Sequence, residues 1–552
     1  MSDWTHDAGT TSHCEVETNS SSEGKSAAAI AAFTKTRAAR PCGRQSRQRD
    51  TMGLIGFRTQ PPLPHRLAPN SVCRRFRPAE QLFGNQRISF AEDSITSGDS
   101  AARPGMAAEF ATMNDESILI GTHEIWGDIV PFGISLPDLR QHIYVIGKTG
   151  SGKTTLLRNM IIQHIALGHG VGLIDPHGDL AEELLNHIPR WRTDHLVYFN
   201  PSDLEFPVAL NLLANVPPDE RHLVASGIVG AFKSIWPESW GPRMEYILYN
   251  AIAALLDCQN TSLLGVNRML TDEKYRAWVI RQIQDPFIKN FWEHEFAGYD
   301  ERFRREAIAP IQNKLGQFLL NPVIRNILGQ VKRKVSFPFI MDNQRLFIAN
   351  LSKGKIGHDK ANLIGSLLTT QFQLAAMRRA GQPEDERRDF YLFIDEFQNF
   401  TTDSFAAILA EARKYRLCLT LSHQYVDQIP LPIRQAVFGN VGTLFSFRVG
   451  NTDAEVLQKE FANAFIAQQF VDLERYKVFS KILEDGTNLE PFMGTTLRPV
   501  DNSRGRAVAH ILNSRRKFAT PRTQVEGSLN RLAISSSGTI PQTPRNRRSG
   551  SV

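Results

Sequence analysis

The chain has 552 residues, of which 41% are apolar and 22% charged; this is ordinary for a soluble globular protein and leaves room for more than one folding unit. The net charge of +7 is concentrated at the two ends, since residues 1–105 carry 14 Lys and Arg against 10 Asp and Glu, and residues 503–552 carry 10 against 1. Residues 106–502 are left with a net charge of −6, so total charge gives no argument that this central part binds DNA.

The cysteines and the apolar runs exclude several kinds of protein. The five cysteines are odd in number and far apart, so no pair has the spacing of a zinc or redox motif, and free thiols in a reducing compartment are the simplest interpretation. No apolar run approaches the roughly 20 residues of a membrane span, and the Ala-rich stretch at 27–32 is too short for a signal peptide. We therefore predict a cytoplasmic protein without a membrane span of its own.

Residues 1–112 are predicted to be a disordered, basic N-terminal extension. They are rich in Ser, Ala, Arg, Pro and Gly and show no sustained apolar period. A transit peptide is one alternative, but the acidic residues among the first seventeen count against it. A second alternative is that translation starts at Met106 or Met113.

From residue 113 onward, strands and helices alternate as in a parallel α/β sheet. The predicted strands are 142–146, 170–175, 195–199, 345–350, 390–395, 418–422 and 443–448, and the clearest helices are 154–167 and 361–379. Residues 217–334 interrupt this alternation, because their apolar spacing is helical throughout. We predict an α/β domain in two parts, 113–216 and 335–502, separated by an all-helical insertion. The polar residues 503–552 are predicted to be a disordered basic tail that adds non-specific DNA affinity.

The strongest motif lies at residues 147–154, which read Gly-Lys-Thr-Gly-Ser-Gly-Lys-Thr between a predicted strand and a predicted helix. Its glycines let the backbone wrap closely around phosphates, while Lys153 reaches the β- and γ-phosphates and the Thr154 hydroxyl binds Mg²⁺. A glycine-rich turn without a ligand is the alternative, which the strand and helix on either side disfavour. The predicted cofactors are ATP and Mg²⁺, and the predicted nucleotide-binding residues are Gly147, Lys148, Thr149, Gly150, Ser151, Gly152, Lys153, Thr154 and Thr155.

A second motif consists of two carboxylates at the end of a strand of buried type, Phe390–Glu396. Asp395 is predicted to help hold Mg²⁺, and Glu396 to act as the general base that polarises the attacking water. The alternative is an acidic pair that ends an exposed strand. Signalling GTPases normally lack the adjacent glutamate, so behind a complete P-loop the pair favours a motor-type ATPase.

The next strand also ends in polar residues, His423 and Gln424. Gln424 is the preferred candidate for sensing the γ-phosphate or positioning water, because an amide can both donate and accept hydrogen bonds without a change of charge. His423 is the competing candidate, and a third interpretation is that both are loop residues without a catalytic role.

Three further polar segments have a structural and a functional interpretation. In residues 411–416, Arg413 is either an arginine finger or part of a solvated cluster at a helix end, and spacing alone favours the cluster. Residues 175–179 are interpreted as a turn in which Asp179 caps a helix, in preference to a metal-binding or coupling role. Residues 352–355 carry two lysines that we interpret as solubilising, in preference to phosphate or DNA contacts.

Together the P-loop and the segments 174–179, 350–357, 395–400 and 411–424 resemble the HerA–FtsK branch of P-loop ATPases. Within that branch, the resemblance is to the TraD/TraG-type coupling proteins of conjugation and type IV secretion, and it covers residues 115–500. It implies a RecA-like motor domain with an all-helical insertion, a homohexameric ring, and ATP-driven translocation of DNA. It also places Arg413 eleven residues before Gln424, where similar motors have an arginine that acts on the neighbouring subunit, so the finger becomes the favoured role and Gln424 gains support.

The resemblance leads to several expectations about partners and location. The implied partners are single- or double-stranded DNA, further copies of the chain, and secretion or relaxosome proteins. Membrane-tethered coupling proteins carry N-terminal transmembrane helices and this sequence shows none, so we expect a soluble motor or one that docks at the inner face of the bacterial membrane. The alternatives are a soluble HerA-like motor that works with a nuclease, and an ATP-dependent switch or scaffold that pumps nothing, against which Glu396 counts.

Overall fold

The computed structural model describes residues 117–499, 503 and 505–534. The predicted N-terminal extension at 1–112 and the end of the predicted tail at 535–552 lie outside the described residues. Two of the five cysteines, Cys258 and Cys418, are described, and both are buried free thiols, as predicted. Within 117–499 and 505–534, no helix has the length and apolarity that crossing a membrane requires.

Thirteen strands are found in the described part of the chain. They are β1 (Ser117–Ile125), β2 (Asp128–Ser135), β3 (Ile143–Ile146), β4 (Gly170–Asp175), β5 (Leu196–Phe199), β6 (Leu346–Asn350), β7 (Phe390–Ile394), β8 (Leu417–His423), β9 (Thr443–Ser446), β10 (Lys477–Lys481), β11 (Leu483–Glu484), β12 (Thr487–Asn488) and β13 (Phe492–Thr496). Eleven of them form one sheet in the order β2-β1-β13-β10-β9-β3-β8-β7-β4-β6-β5, and β11 and β12 form a separate hairpin.

The central block of this sheet, from β9 to β5, is parallel. The four strands β2, β1, β13 and β10 extend it in antiparallel fashion. All seven predicted strands are present with bounds within two residues of the prediction, because fully buried parallel strands read as short apolar runs. The antiparallel strands were not predicted, since they mix apolar residues with Gly, Thr and charged residues.

The helices of the described residues cover the two faces of the sheet and fill the insertion. They are α1 (Leu136–Leu139), α2 (Lys153–Ala166), α3 (Asp179–Leu184), α4 (Arg221–Ile235), α5 (Pro242–Leu256), α6 (Leu264–Thr271), α7 (Glu273–Ile280), α8 (Pro286–Asn290), α9 (Glu301–Leu320), α10 (Pro322–Leu328), α11 (Phe337–Asp342), α12 (Lys353–Ile356), α13 (His358–Arg378), α14 (Phe405–Glu411), α15 (Leu431–Asn440), α16 (Asn451–Glu460), α17 (Ala467–Asp472), α18 (Ala507–Phe518) and α19 (Arg522–Ile534).

Alternation along the strands separates two apolar cores, one on each face of the sheet. On one face, Val145 of β3 packs with Leu156 and Met160 of α2. On the other face, Ile146 belongs to a core that includes Phe372 of α13. Each parallel strand is therefore buried on both sides, and its carboxyl end is fixed in position between two layers of helices.

The all-helical insertion is present between β5 and β6 and contains α4 to α10. Its apolar residues, such as Phe232 and Ile247, belong to the same core as Phe347 and Phe372 on one face of the sheet. The insertion therefore packs onto the α/β part of the chain through a continuous apolar core. It divides the α/β domain in sequence, but the two parts share one core in space.

The prediction of a disordered tail from residue 503 is wrong for residues 507–534, which form α18 and α19. Helix α18 runs along the edge strand β5, where the Ser514 hydroxyl accepts a hydrogen bond of 2.8 Å from the Tyr198 amide. Arg515 also forms an ion pair with Asp203 at 2.6 Å. The polar composition hid these helices, because α18 packs through a hydroxyl, a buried imidazole and ion pairs, and α19 buries Val525 and Leu529 from a mostly polar sequence.

Candidate active site

The predicted site segments meet at one edge of the sheet. The P-loop follows β3, Asp395 follows β7, Gln424 follows β8 and Asp175 ends β4, so all four lie at the carboxyl ends of neighbouring parallel strands. In open α/β sheets this edge is where ligands bind, because the helix N-termini and the loops that follow the strands converge there.

The P-loop adopts backbone angles that require glycine. Gly150 has φ +76° and Gly152 has φ +125°, which L-amino acids rarely adopt. The loop is closed by the amide of Lys148, which donates to the carbonyl of Arg448 at 2.8 Å, and by the hydroxyl of Ser151, which donates to the carbonyl of Lys148 at 2.7 Å. The predicted loop from Gly147 to Thr155 therefore has the shape of a phosphate cradle at the start of α2.

Lys153 points into this cradle. Its ammonium donates to the carbonyl of Gly147 and, at 3.3 Å, to that of Lys148, and the side chain is almost fully buried. Burial lowers the pKa of Lys153, while the charges of Glu396 and Asp395 act to raise it. The Lys153 ammonium is therefore positioned to bind phosphate oxygens in place of these loop carbonyls. Thr154 and Thr155, the next two residues of α2, are accessible from outside.

Asp395 and Glu396 are both buried beside Lys153. Burial, followed by the neighbouring charges of Asp175 and Glu396, raises the pKa of Asp395 to about 7. Burial likewise raises the pKa of Asp175. A divalent cation compensates the negative charge of buried carboxylates that have too little positive charge nearby. Asp395 and Thr154 therefore fit as residues that would hold Mg²⁺.

Glu396 is held by two amides. Gln424 donates from Nε2 to Oε1 of Glu396 at 2.6 Å, and its own Oε1 accepts from the hydroxyl of Thr149 in the P-loop at 3.0 Å. Gln398 donates to the other carboxylate oxygen of Glu396 at 2.9 Å. Glu396 also has φ +47°, a strained backbone conformation that is common at catalytic positions. Gln424 thus connects the predicted base to the phosphate loop.

Gln398 is a site residue that sequence reasoning did not single out. The only signal for it was its position in the segment Asp395–Phe400, which carried part of the family resemblance. Its contact with Glu396 depends on the 3₁₀ turn Phe397–Phe400, which begins directly after the strained residue and turns the Gln398 amide back toward the carboxylate.

The competing candidate, His423, has a different environment. The hydroxyl of Tyr144 lies 3.1 Å from its Nδ1, and its ring packs 5.2 Å from that of Phe397. Burial, with a smaller effect from the charge of Lys153, lowers the pKa of His423 to about 3. His423 is therefore a neutral imidazole that packs among aromatic rings, whereas Gln424 contacts both the P-loop and Glu396.

The loop that follows β4 differs from the prediction in one respect. Helix α3 is preceded by Gly178, and Asp179 is its first residue, so the prediction that Asp179 caps the helix is wrong. Asp175 has this role instead, since its carboxylate accepts from the amides of His177 and Ala181, both at 2.9 Å. The reason is the left-handed conformation of Gly178, which turns the helix start toward the strand end.

The loop that follows β6 packs on this turn. The Ser352 hydroxyl donates to Oδ1 of Asn350 at 2.7 Å, and the Lys353 amide donates to the carbonyl of Pro176 at 2.8 Å. Lys355 forms an exposed ion pair with Glu182 at 3.0 Å. The structure therefore gives Lys355 a surface contact with α3, in line with the interpretation of these lysines as surface residues.

Comparison with family models gives a match for the part of the chain that contains the P-loop. Residues 118–371 match the family model described as helicase HerA, central domain. This segment, which is less than half of the chain, resembles the central domain of helicase HerA and contains the P-loop. The match confirms the predicted resemblance to the HerA–FtsK branch. The strands β7 and β8, which precede Asp395 and Gln424, follow the matched segment in sequence and belong to the same sheet.

Solved structures show the same fold. The bacterial conjugative coupling protein TrwB in its unbound form aligns with a TM-score of 0.51 and 15% identity over 68% of this chain and 89% of that chain. Plasmid coupling protein TrwB with ADP and Mg²⁺ aligns with a TM-score of 0.52 and 15% identity over 74% and 95%. The TrwB complex with the GTP analogue GDPNP gives 0.51 and 16% over 68% and 90%. Comparison with curated protein sequences finds no match.

Arg413 lies at the amino ends of the parallel strands, opposite to the carboxyl ends that hold the site. It belongs to the 3₁₀ turn Ala412–Tyr415, which precedes β8, whereas Gln424 follows that strand. The seven residues of β8 span about 23 Å, so Arg413 does not reach the nucleotide site of its own subunit. Its guanidinium is exposed, donates to the side chain of Gln141, and borders a cavity of about 600 Å³ that Lys414 also lines.

Proposed function

We propose that the protein is an ATP-hydrolysing DNA translocase that works as a homohexamer in conjugative DNA transfer or type IV secretion. The observation that carries the proposal is the chain of contacts from Thr149 through Gln424 to Glu396, beside Lys153 and Asp395. It joins a phosphate-binding loop to a buried carboxylate that can accept a proton from water.

Each residue of the site has a distinct part in hydrolysis. Lys153 neutralises charge on the β- and γ-phosphates, and Glu396 takes the proton of the attacking water. Gln424 holds Glu396 in place and, through Thr149, is positioned to respond to loss of the γ-phosphate. When Mg²⁺ is bound by Thr154 and Asp395, it neutralises charge that develops on the transferred phosphoryl group.

A ring is supported by the position of Arg413. An arginine that completes the site must come from a neighbouring subunit, because Arg413 is separated from its own P-loop by the length of β8. The guanidinium is exposed at the edge opposite to the P-loop. Head-to-tail contact between these two edges, repeated around a closed ring, would give every nucleotide an arginine in trans.

The DNA substrate and the partners follow from the likeness to TrwB, whose structures are described as those of a conjugative coupling protein. On this basis, we propose single- or double-stranded DNA as the cargo, secretion or relaxosome proteins as partners, and a location at the inner face of the bacterial membrane. The match to helicase HerA favours a second candidate, a soluble DNA-processing motor that works with a nuclease.

The test is steady-state phosphate release by the full chain with and without single- and double-stranded DNA. We expect DNA to stimulate turnover, Lys153→Ala to abolish it, and Glu396→Gln to bind ATP while turnover falls by about 10²-fold or more, since an amide cannot accept the proton. Wild-type hydrolysis that does not respond to DNA would overturn the translocase. A purified complex with a nuclease in place of secretion proteins would favour the second candidate.

A further inference from the structure

The nucleotide site has a second flank, on the side of the P-loop away from the carboxylates. Strand β7, which is followed by Asp395, is two strands from β3 on one side, and β10 is two strands from β3 on the other. Because neighbouring strands are about 4.8 Å apart, each flank is roughly 10 Å from β3. Strand β10 runs antiparallel to β9, so Tyr476, which directly precedes β10, lies at the same edge as the P-loop.

Tyr476 has a backbone conformation that is rare for a large side chain, with φ +68°. Its amide donates to the carbonyl of Ser151 in the P-loop at 2.9 Å. Its carbonyl accepts from the amide of Thr496 at 2.9 Å and from the Thr496 hydroxyl at 3.1 Å. The residue is therefore fixed between the phosphate loop and β13, and such strain persists only where the surroundings enforce it.

The side chain of Tyr476 lies against the phosphate loop. A methyl group added at Gly152 would lie only 3.1 Å from Cδ1 of the Tyr476 ring. The guanidinium of Arg475 is 4.6 Å from the centroid of the same ring. Tyr476 is half-buried and Arg475 is exposed. An aromatic ring and a cation thus stand together next to the phosphate cradle.

We propose that Arg475 and Tyr476 bind the nucleoside part of a nucleoside triphosphate, with the base stacked on this aromatic–guanidinium pair. The proposal rests on the proposed function, because Lys153 then binds the β- and γ-phosphates while Glu396 faces the γ-phosphate end from the β8 and β7 side. The rest of the ligand extends past Gly152 toward β10, where both the tyrosine ring and the guanidinium plane offer a stacking surface.

The test compares two ligands that differ in the nucleoside, ATP and inorganic tripolyphosphate, by calorimetric titration of the full chain. Tyr476→Asn removes the ring but keeps a residue that tolerates the left-handed backbone. We expect it to weaken ATP about tenfold or more and to leave tripolyphosphate unchanged, since stacking of a base on an aromatic ring is lost. Tyr476→Phe is the matched control and should bind both ligands as the wild type does.

Arg475→Ala is a second variant at an exposed position, where folding is not at risk, and it should weaken ATP several-fold without an effect on tripolyphosphate. Equal weakening of both ligands in Tyr476→Asn would overturn the inference, because the ring would then only support the P-loop. Unchanged ATP affinity in both variants would overturn it as well. A wild-type protein that binds neither ligand would overturn the proposed function and this inference with it.

Discussion

Glu396 receives a hydrogen bond on each carboxylate oxygen, one from Gln424 and one from Gln398. Two amide donors fix the orientation of the carboxylate. The two donors differ in what else they contact, since only Gln424 also reaches the P-loop, through Thr149. At the scale of single residues, the base and the phosphate loop are therefore coupled through one amide.

Gln424→Ala should lower turnover by about 10²-fold while ATP affinity changes little, because it frees the base and removes its connection to Thr149 without touching Lys153. Gln398→Ala is the matched comparison, since it removes the other amide and leaves the P-loop contact in place; its turnover should fall by about tenfold at most. Steady-state turnover and ATP titration measure both. An equal fall in the two variants would show that Gln424 acts only by orienting Glu396.

Asp395 is expected to make the metal-free protein less stable as pH rises. Its pKa of about 7 is above the value of 3.8 for a free aspartate, so between these values the folded state binds more protons than the unfolded state. Its contribution to stability is thus present below about pH 4 and is lost as pH rises through 7. Asp395→Asn should remove this loss and raise the melting temperature at pH 8 by on the order of 5 °C.

Asp389 provides the control for this measurement. Its carboxylate forms ion pairs with Arg140 at 2.8 Å and with Arg416 at 3.7 Å, so Asp389→Asn should lower the melting temperature at the same pH. Both variants are measured by thermal denaturation in the presence of a chelator. A melting temperature of Asp395→Asn that stays equal to the wild type from pH 5 to pH 8 would contradict the raised pKa.

At the scale of elements, α18 protects the edge of the sheet. Strand β5 is the last strand at its side, and an edge strand leaves backbone groups without partners. Ser514 accepts from the Tyr198 amide, and Arg515 and Lys517 form ion pairs with Asp203 and Asp194. Several cations that the sequence assigned to a DNA-binding tail are therefore neutralised within the fold, which reduces their expected contribution to DNA affinity.

Truncation separates the two halves of the predicted tail. Removal of residues 506–552 should destabilise the protein and lower its soluble yield, because the edge of β5 and two carboxylates lose their partners. Removal of residues 535–552 alone should leave the melting temperature and the basal ATPase activity near wild type. Thermal denaturation and phosphate release check both. A stable, active protein ending at residue 505 would contradict the role of α18.

At the scale of the whole molecule, Arg413 and the P-loop lie at opposite ends of the parallel strands. Arg413 and Lys414 are exposed at one end, whereas a bound nucleotide adds negative charge at the other. We therefore expect contact between the Arg413 end of one subunit and the nucleotide site of the next to be favoured by the attraction of the guanidinium for the phosphates.

Arg413→Ala should bind ATP normally and hydrolyse it about 10³-fold more slowly, since an arginine in trans stabilises the charge of the transition state. Lys414→Ala, which changes the adjacent exposed cation, should retain turnover. Mixing Arg413→Ala with Glu396→Gln should restore part of the activity, because some interfaces then pair an intact Glu396 with an intact Arg413. Wild-type turnover of Arg413→Ala, or no recovery in a mixture with verified subunit exchange, would contradict a finger in trans.

The sequence by itself determined the parts of the fold that local pattern encodes. Short apolar runs marked the parallel strands, helical periodicity marked the insertion, and the glycine spacing of residues 147–154 marked the phosphate loop, because each depends on neighbours within a few residues. The pair Asp395 and Glu396 could be predicted for the same reason, as two carboxylates directly after a buried strand.

The tertiary structure alone decided contacts between distant segments, which have no periodic signature. It placed Gln424 between Thr149 and Glu396, residues 275 and 28 positions away. It showed that Asp175, and not Asp179, caps α3, and that Arg413 lies too far from the nucleotide site of its own subunit to contact it. It also showed that a segment with the composition of a disordered tail forms two helices. In each case the order of the strands in the sheet decided which strand ends and which helix faces lie next to each other. Composition and motif spacing do not contain that order.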